Sequence, residues 1–422
     1  MSTQHTEAVV VGGGLTGVAA AIASARNDAK TLLIEQYGFL GGMATCGLVN
    51  PFALGYYVGK EQIIEGTFQD ILGNLKELGG LGENGRTFDE EIMKFVLDEM
   101  IREAKVKVLF HTLATDVSVK GSKIETISTE SKSGRNKIAG KVFIDATGDG
   151  DIAARAGVPF ESGRKKDGLT QPMTLCFRMA EVDAEKMPSR KEITKLYKSA
   201  KKRGEITNPR EDVLYFKTVH QGIVHFNTTR VVRVDGTKVE DLTYAEIEGR
   251  RQVMEMVNFL RKNIPGFERS YLLMTAPQIG VRETRRIAGE YILTEQDVLE
   301  ARKFKDGIAR GSRCIDIHSP TGEGTIMKNL KPGTSYDIPY RCLVPKKIDN
   351  LLVAGRCISA THEACSSIRV MPICTAIGEA AGVAGAQSIK EGYRPFRKLN
   401  VRTIQKRLIS QGANLGKEKE KD

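Results

Sequence analysis

The sequence predicts an α/β fold with a parallel sheet, a β-meander beside it and an inserted α+β domain. Three observations support this prediction. Apolar runs alternate with a helix in the first forty residues. The runs at 8–11, 142–144 and 350–354 each lead directly into a glycine-rich segment. The alternation stops between about 160 and 340, as expected where a separate domain is inserted.

The N-terminal segment has the pattern of a β-α-β unit. Residues 8–11 are an apolar run, residues 15–27 a helix rich in alanine, and residues 31–34 a second apolar run that ends at Glu35. This alternation places two parallel strands side by side, with the helix packed across them. The unit is therefore the Rossmann-type element of the predicted fold.

The turn after the first strand has the spacing G-x-G-x-x-G at Gly12, Gly14 and Gly17. These glycines permit a tight turn, close approach of a pyrophosphate and close packing of the helix on the strand. Glu35 lies 21 residues after Gly14, where a carboxylate can accept hydrogen bonds from ribose hydroxyls. The motif in this context predicts dinucleotide binding. Its predicted contacts are Gly12, Gly14, Leu15, Thr16, Gly17, Glu35 and Gln36.

Composition and charge restrict the class of protein. Of 422 residues, 27% are charged and 41% hydrophobic, which is typical of a globular chain. Residues 183–204 carry a net charge of +5 and residues 390–422 carry +6, so they account for the whole +11. We therefore expect two solvated basic segments and no basic groove, which argues against nucleic acid as a partner.

The cysteines and the hydropathy pattern predict a cytoplasmic protein. The seven cysteines are scattered without a C-x-x-C pair, which argues against a disulfide framework or a metal site. We expect no signal peptide, because the N-terminus lacks a basic and then apolar sequence. No run of 18 apolar residues occurs, so we expect no membrane span.

The middle of the chain has the pattern of a second domain. Its clearest element is a long helix predicted at 244–263, with Thr243 as the expected N-cap. We predict a discontinuous nucleotide-binding domain, an inserted substrate domain and a charged tail, with bounds at 1–160 and 340–412, 161–339, and 413–422.

Three further glycine-rich segments occur at 38–47, 145–151 and 350–356. The segment at 145–151 formally reads G-x-G-x-x-A, but no strand ending in an acidic residue follows it, so a second dinucleotide site is not expected. Past the third segment, Arg369 precedes a helix predicted at 372–390. The positive end of that helix can face an electron-rich ring.

In this order and spacing, the segments resemble the FAD-dependent oxidoreductase family, whose FAD fold is like that of glutathione reductase and of the fumarate reductase flavoproteins. The resemblance covers nearly the whole chain. It implies FAD and hydride transfer between a small organic substrate and flavin N5. The further cofactor contacts that it implies are Gly42, Met43, Ala44, Thr45, Val117, Ala146, Thr147, Gly148, Asp151, Gly355, Arg356, Arg369, Val370 and Met371.

Departures from related enzymes narrow the chemistry. The disulfide reductases that resemble this fold carry two cysteines beside the flavin, whereas Cys46 stands alone here. Arg356 occupies the place where aromatic hydroxylases have an aspartate, and the chain lacks the tryptophan that flavin halogenases need. No second nucleotide-binding unit is found for a nicotinamide. We therefore expect an unidentified external electron donor or acceptor.

Three residues are the candidates for catalysis. His362 precedes the last long helix and can move a proton, or it can hold the loop by a hydrogen bond. Arg282 shares a face with Arg286 if the segment is helical; it can clamp a substrate carboxylate or carbonyl, or join an ion pair with Glu283. His225 can reach the site from a strand, or it is an ordinary half-buried histidine.

Two alternatives stay open within this prediction. One is a flavin monooxygenase. The other is a flavin-containing RNA-modifying or RNA-binding protein, which the two basic segments would serve. The sequence also leaves a homo-oligomer open.

Overall fold

The computed structural model describes residues 3–416, which form 21 strands and ten helices. Residues 417–422, which make up most of the predicted charged tail, lie outside the described residues. The strands are β1 (Thr3–His5), β2 (Ala8–Val11), β3 (Thr31–Ile34), β4 (Tyr57–Val58), β5 (Glu61–Gln62), β6 (Lys107–Leu109), β7 (Thr112–Lys120), β8 (Lys123–Ser131), β9 (Gly134–Ala139), β10 (Val142–Asp145), β11 (Phe160–Ser162), β12 (Phe177–Ala180), β13 (Tyr215–Lys217), β14 (Val224–Phe226), β15 (Tyr271–Thr275), β16 (Arg285–Ile287), β17 (Gly307–Gly311), β18 (Ile315–His318), β19 (Thr325–Lys328), β20 (Tyr336–Pro339) and β21 (Leu351–Val353). The helices are α1 (Leu15–Arg26), α2 (Thr67–Glu77), α3 (Glu90–Glu103), α4 (Asp151–Arg155), α5 (Arg190–Lys202), α6 (Val239–Asn263), α7 (Glu295–Leu299), α8 (His362–Ile368), α9 (Met371–Lys390) and α10 (Val401–Ser410).

The central sheet has five parallel strands in the order β21-β10-β2-β3-β6. Strands β2, β3 and β10 are buried along their whole length, which is why they read as continuous apolar runs. Strands β7, β8 and β9 form the antiparallel meander, and β1 pairs with β9. The predicted α/β fold, with its parallel sheet and meander, is confirmed.

The carboxyl ends of the parallel strands meet at one edge of the sheet. Gly12 follows β2, Glu35 follows β3, Ala146 follows β10, and Gly355 lies two residues beyond β21. Open parallel sheets bind ligands at this edge. The glycine-rich segments that are far apart in sequence are therefore neighbours in the fold.

Helix α1 packs closely against both the sheet and helix α9. A Cβ at Gly17 would overlap the carbonyl oxygen of Gly12, and a Cβ at Gly378 would overlap that of Thr16. One turn later, a Cβ at Gly382 would overlap the carbonyl oxygen of Ala20. Glycine at these positions brings the backbones of α1 and α9 into contact, and the contact fixes where the N-terminus of α1 points.

Buried apolar side chains form two clusters. The first apolar cluster draws on residues 8–158 and 287–415, and it includes the central sheet with α1 and α9. The second apolar cluster draws on residues 173–281 together with Leu48, and it lies under the antiparallel sheet β13-β14-β12-β15 with α5 and α6. The chain thus returns to the first cluster at Ile287, well before residue 340. The domain bounds themselves stay a prediction.

One local expectation in the middle of the chain is wrong, and the condition attached to another is not met. Helix α6 begins at Val239, so Thr243 lies inside its second turn and donates a hydrogen bond to the Val239 carbonyl at 2.8 Å. Arg282 lies outside the helices, three residues before β16, so it shares no helix face with Arg286.

A buried ion pair connects the two clusters. Arg178 on β12 donates hydrogen bonds from both terminal nitrogens to the Glu90 carboxylate at the start of α3. Each side chain is 5% exposed. Removing either partner would leave the other charge buried without its counter-charge, which is strongly unfavourable. The pair therefore fixes the second cluster over the first.

Among residues 3–416, no single helix is long and apolar enough to cross a membrane. Helices α8 and α9 reach that length and composition only together, and they are bent by 93° at the break between them. Most of α9 is buried in the protein, as its contact with α1 requires.

The contact between α1 and α9 predicts opposite effects for two glycines of the same helix. Gly382→Ala should destabilise the protein by about 1–3 kcal/mol, because its Cβ would meet backbone that cannot move independently. Gly385→Ala is the matched control. Its Cβ would lie 3.5 Å from the nearest atom, and alanine is the better helix former by about 0.5–1 kcal/mol.

The measurement is the midpoint of thermal unfolding of both variants, with cofactor bound. We expect a lower midpoint for G382A and an unchanged or higher one for G385A. Equal midpoints would contradict the account of the helix contact.

Candidate active site

A central cavity of about 530 Å³ runs along the carboxyl edge of the parallel sheet. It starts near Glu35, passes Gly12 and Gly42, and ends between the N-terminus of α9 and the second apolar cluster. Its walls thus come from all four glycine-rich segments and from the middle of the chain.

Glu35 closes the first end of the cavity. Its carboxylate accepts hydrogen bonds from the backbone N–H groups of Gly13, at 2.5 Å, and Tyr37, at 2.9 Å. Burial raises its pKa, and these hydrogen bonds counteract part of that rise. The carboxylate is therefore held in a fixed orientation, with lone pairs left for further donors such as ribose hydroxyls.

Two glycine turns touch in the next part of the cavity. A Cβ at Gly42 would lie 2.8 Å from the Cα of Gly14, and Gly42 has a φ of +54°. Helix α1 begins directly after Gly14, with neither a side-chain cap nor an acidic residue in its first turn. An uncapped helix N-terminus beside bare backbone fits a pyrophosphate.

Arg356 also lines the cavity, in contact with Gly148. Its Nη2 donates to the Asp149 carboxylate at 2.7 Å, and a Cβ at Gly148 would lie 3.0 Å from the same nitrogen. Its Nη1 is buried and has no hydrogen-bond partner within residues 3–416. This unpartnered donor is a second feature that fits an anionic cofactor here.

The N-terminus of α9 reaches the cavity at its far end. Arg369, Val370 and Met371 line the cavity there, and α9 has no acidic residue in its first turn. The positive end of a 20-residue helix favours negative charge at this point. The arrangement fits the edge of a ring that gains negative charge on reduction.

Arg282 lines the same end of the cavity as Arg369. It follows Val281, the last residue of the second apolar cluster. Its Nη1 donates to the carbonyl oxygen of Pro172 at 2.7 Å and to Thr174 Oγ1 at 2.6 Å, and its Nη2 donates to Asn227 Oδ1 at 3.3 Å. Burial, and secondly the charge of Arg369, lower the pKa of Arg282 to about 9. The guanidinium thus stays charged at neutral pH.

Strand β18 adds two groups that the sequence did not point to. Asp316 accepts a hydrogen bond from Arg313 at 2.5 Å, and both line the cavity. His318 Nδ1 accepts a hydrogen bond from Arg230 at 3.2 Å, so the neutral ring carries its proton on Nε2, which lies 3.6 Å from Asp316. Burial and the charge of Arg282 hold the pKa of His318 well below its ordinary value, so the ring is neutral.

Three thiols line the cavity, and burial favours the protonated form of each. Burial raises the pKa of Cys46 to about 11 and the pKa values of Cys176 and Cys374 to about 12. A protonated thiol is a poor nucleophile. Within residues 3–416, no group of three or more His, Cys, Asp or Glu side chains is placed to hold a metal ion.

Neither His362 nor His225 is among the residues that line the cavity. His362 donates from Nδ1 to the buried carboxylate of Glu283 at 2.8 Å, which Arg286 also contacts. His225 is buried on β14, and burial lowers its pKa to about 3. Their positions therefore favour a structural role for both histidines over contact with a substrate.

Most of the predicted cofactor contacts come together in the cavity. Its lining includes Gly12, Gly14, Leu15, Thr16, Glu35, Gln36, Gly42, Met43, Ala146, Thr147, Gly148, Asp151, Arg356, Arg369, Val370 and Met371. Its lining does not include Gly17, Ala44, Thr45, Val117 and Gly355. Gly17 instead packs on the backbone of Gly12, and Gly355 packs on the side chain of Thr16 in the first turn of α1. Strand β7 lines the cavity through Thr112, Leu113 and Ala114 rather than Val117.

A cavity with these two uncapped helix N-termini fits a dinucleotide cofactor. The family model described as FAD dependent oxidoreductase matches residues 7–408. The chain therefore belongs to the FAD dependent oxidoreductase family, and its cofactor is FAD, which the glycine cradle and the unpartnered Arg356 donor fit.

Several solved structures are similar to this chain at low sequence identity. A geranylgeranyl bacteriochlorophyll reductase-like protein from Thermoplasma acidophilum is 15% identical, covering 97% of this chain and 87% of that one, with a TM-score of 0.48. The p-nitrophenol 4-monooxygenase of Pseudomonas putida is 11% identical over 97% and 84%, with a TM-score of 0.45. The L-proline dehydrogenase of P. horikoshii is 12% identical over 97% and 99%, with a TM-score of 0.44. No curated protein matches the sequence.

The geometry of Glu35 predicts weaker cofactor retention in Glu35→Ala. Loss of charge-assisted hydrogen bonds to the ribose should weaken FAD binding about 10- to 100-fold. The measurement is the ratio of flavin to protein absorbance after gel filtration. Glu99→Ala, an exposed glutamate on α3 that pairs with Arg102, is the matched control and should keep its flavin. Full flavin content in E35A would overturn the assignment of Glu35 to the ribose.

Proposed function

We propose that the protein oxidises or reduces a small organic substrate by hydride transfer at flavin N5, and that it exchanges electrons with an external partner. One observation carries the proposal. The cavity is continuous from the cofactor edge of the parallel sheet to the polar wall formed by Arg282, Asp316 and His318. A substrate at that wall would lie against the ring end of the cofactor.

FAD supplies a two-electron donor and acceptor in this site. The chain contributes positive charge and fixed orientation. The N-terminus of α9 and the guanidinium of Arg369 favour negative charge at the ring end of the cavity. These groups are held in place before any reaction, so their reorientation costs little.

Arg282 binds the substrate in this proposal. Its hydrogen bonds to Pro172, Thr174 and Asn227 fix the guanidinium at the cavity wall. It can then orient and polarise a carbonyl or carboxylate oxygen of the substrate.

His318 and Asp316 handle the proton that accompanies the hydride. The Nε2–H of the neutral His318 ring can donate a hydrogen bond to a substrate oxygen, and the Asp316 carboxylate can accept a proton. His362 was the sequence-based candidate for this role. Its Nδ1 is engaged by Glu283, its Nε2 is buried without a hydrogen-bond partner among residues 3–416, and the residue is not part of the cavity lining. We propose that His362 holds Glu283, and through it the N–H of Gln171, in place.

An external electron partner follows from the way the chain is organised. The described residues contain one five-stranded parallel sheet, and its nucleotide edge is the one that lines the cavity. We therefore assign no separate nicotinamide site. A protein or small-molecule carrier would exchange electrons with the enzyme.

Anaerobic flavin reduction tests this proposal. We expect NADH or NADPH alone to leave the flavin oxidised on the time scale of turnover, and at least one member of a panel of small alcohols, amines and hydroxy acids to bleach it. Fast reduction by a nicotinamide would contradict the external partner. Transfer of ¹⁸O from labelled oxygen into the product would show a monooxygenase and would contradict simple hydride transfer.

Histidine variants separate the two candidate rings. His318→Ala should slow single-turnover flavin reduction about 100-fold, since removal of one positioned hydrogen-bond donor costs about that factor. His225→Ala is the matched control, because it removes a buried histidine that does not line the cavity. We expect H225A and His362→Ala to alter thermal stability and to leave the single-turnover rate per flavin within about twofold. Slow reduction in H362A with normal reduction in H318A would reverse the assignment.

A further inference from the structure

The far end of the cavity carries more positive than negative charge. The guanidinium groups of Arg282, Arg313 and Arg369 line it, together with one carboxylate, that of Asp316. His318 lines it as a neutral ring, because burial and the charge of Arg282 lower its pKa. One of the three arginines, Arg313, already pairs with Asp316. Two positive charges therefore remain uncompensated at this end, which we call the cationic end.

The two remaining arginines have neutral hydrogen-bond acceptors. The acceptors of Arg282 are a carbonyl, a hydroxyl and an amide oxygen, from Pro172, Thr174 and Asn227. Within the part of the chain that the structure describes, neither Arg282 nor Arg369 forms a salt bridge. Both residues are half-buried, and guanidinium groups withdrawn from water are otherwise found paired with carboxylates, since an unpaired charge is costly there.

Arg369 also has only neutral hydrogen-bond acceptors. It donates to the side-chain oxygen of Gln171 at 3.3 Å and to the carbonyl oxygen of Asp316 at 3.5 Å. Its Nε is buried and lacks a hydrogen-bond partner among residues 3–416. The side-chain N–H₂ of Gln171 is likewise buried without an acceptor. Donors outnumber acceptors here, as expected for a site that awaits an anion.

The neighbouring charges do not supply that anion. Glu211 pairs with Arg230, and Asp212 pairs with Arg210. Glu283 is occupied by Arg286 and His362. These three carboxylates thus already have cations of their own.

We propose that the substrate is a small carboxylate and that its carboxylate group pairs with Arg282 at the cationic end, beside Arg369. This inference rests on the proposed function for its site, and it adds the chemical class of the substrate. A guanidinium fork matches the two oxygens of a carboxylate. The Nε2–H of His318 then donates to an oxygen of the substrate, and the neutral acceptors of Arg282 keep the guanidinium aimed at the anion.

The test uses the FAD-loaded protein and matched pairs of probes. Acetate, malonate and benzoate are titrated against acetamide, malonamide and benzamide, by flavin difference spectra and by calorimetry. We expect at least one carboxylate to bind at least about tenfold more tightly than its own amide, as the loss of a charge-assisted pair requires. Failure of all three carboxylates to exceed their amides would overturn the proposal, and so would tighter binding of inorganic phosphate. These comparisons use the unmodified protein, so they do not depend on the folding of any variant.

Variants then locate the site. Arg282→Met should weaken binding of the best carboxylate about 10- to 100-fold, and Arg282→Lys should restore part of that loss. Arg250→Met, an exposed arginine of α6, is the matched control and should bind as the parent protein does. Carboxylate binding that is unchanged in R282M would overturn the assignment.

The binding and flavin-reduction experiments together distinguish a failure of the carboxylate site from a failure of the proposed reaction. Carboxylate binding at Arg282 without flavin reduction by any member of the substrate panel would support the anion site and count against the reaction. Flavin reduction by an uncharged substrate without carboxylate binding would support the reaction and overturn the anion site.

Discussion

The rest of the structure depends on one constraint: around helix α1, glycines let the backbone of one segment pack directly on the backbone of another. Gly17 lies on the carbonyl of Gly12, and Gly378 and Gly382 lie on carbonyls of α1. A side chain at any of these points would push α1 away from the sheet or from α9. Because the two helices meet this closely, their N-termini open into the same cavity.

The close packing of α1 explains how the protein combines a fixed cofactor groove with the cationic end of the cavity. The first apolar cluster positions the glycine turns, Glu35 and the start of α9. The second apolar cluster contributes Arg282, whose guanidinium has no counter-charge of its own among the described residues. The buried pair of Arg178 and Glu90 connects the two clusters. The energetic cost of burying an unpaired guanidinium is thus located where a ligand can offset it.

The local structure on the cofactor side of the cavity could be predicted from the sequence because that side is built from local motifs. A strand, a glycine turn and a helix are contiguous, so the bounds of β2, α1 and β3 could be predicted to within one residue. The substrate side has no such motif. His318 and Asp316 reach the cavity on a hairpin, β18–β19, that is held by Arg230 and Glu211, far away in sequence. Long-range contacts of this kind leave no periodic or spacing signal.

The site of the cofactor ring is the central claim, and a crystal structure of the FAD-loaded protein tests it most directly. The account predicts the adenosine ribose against Glu35, the pyrophosphate at the start of α1, and the isoalloxazine ring between Met371 and Arg282. A ring that points away from Arg282, or FAD bound outside the central cavity, would contradict it.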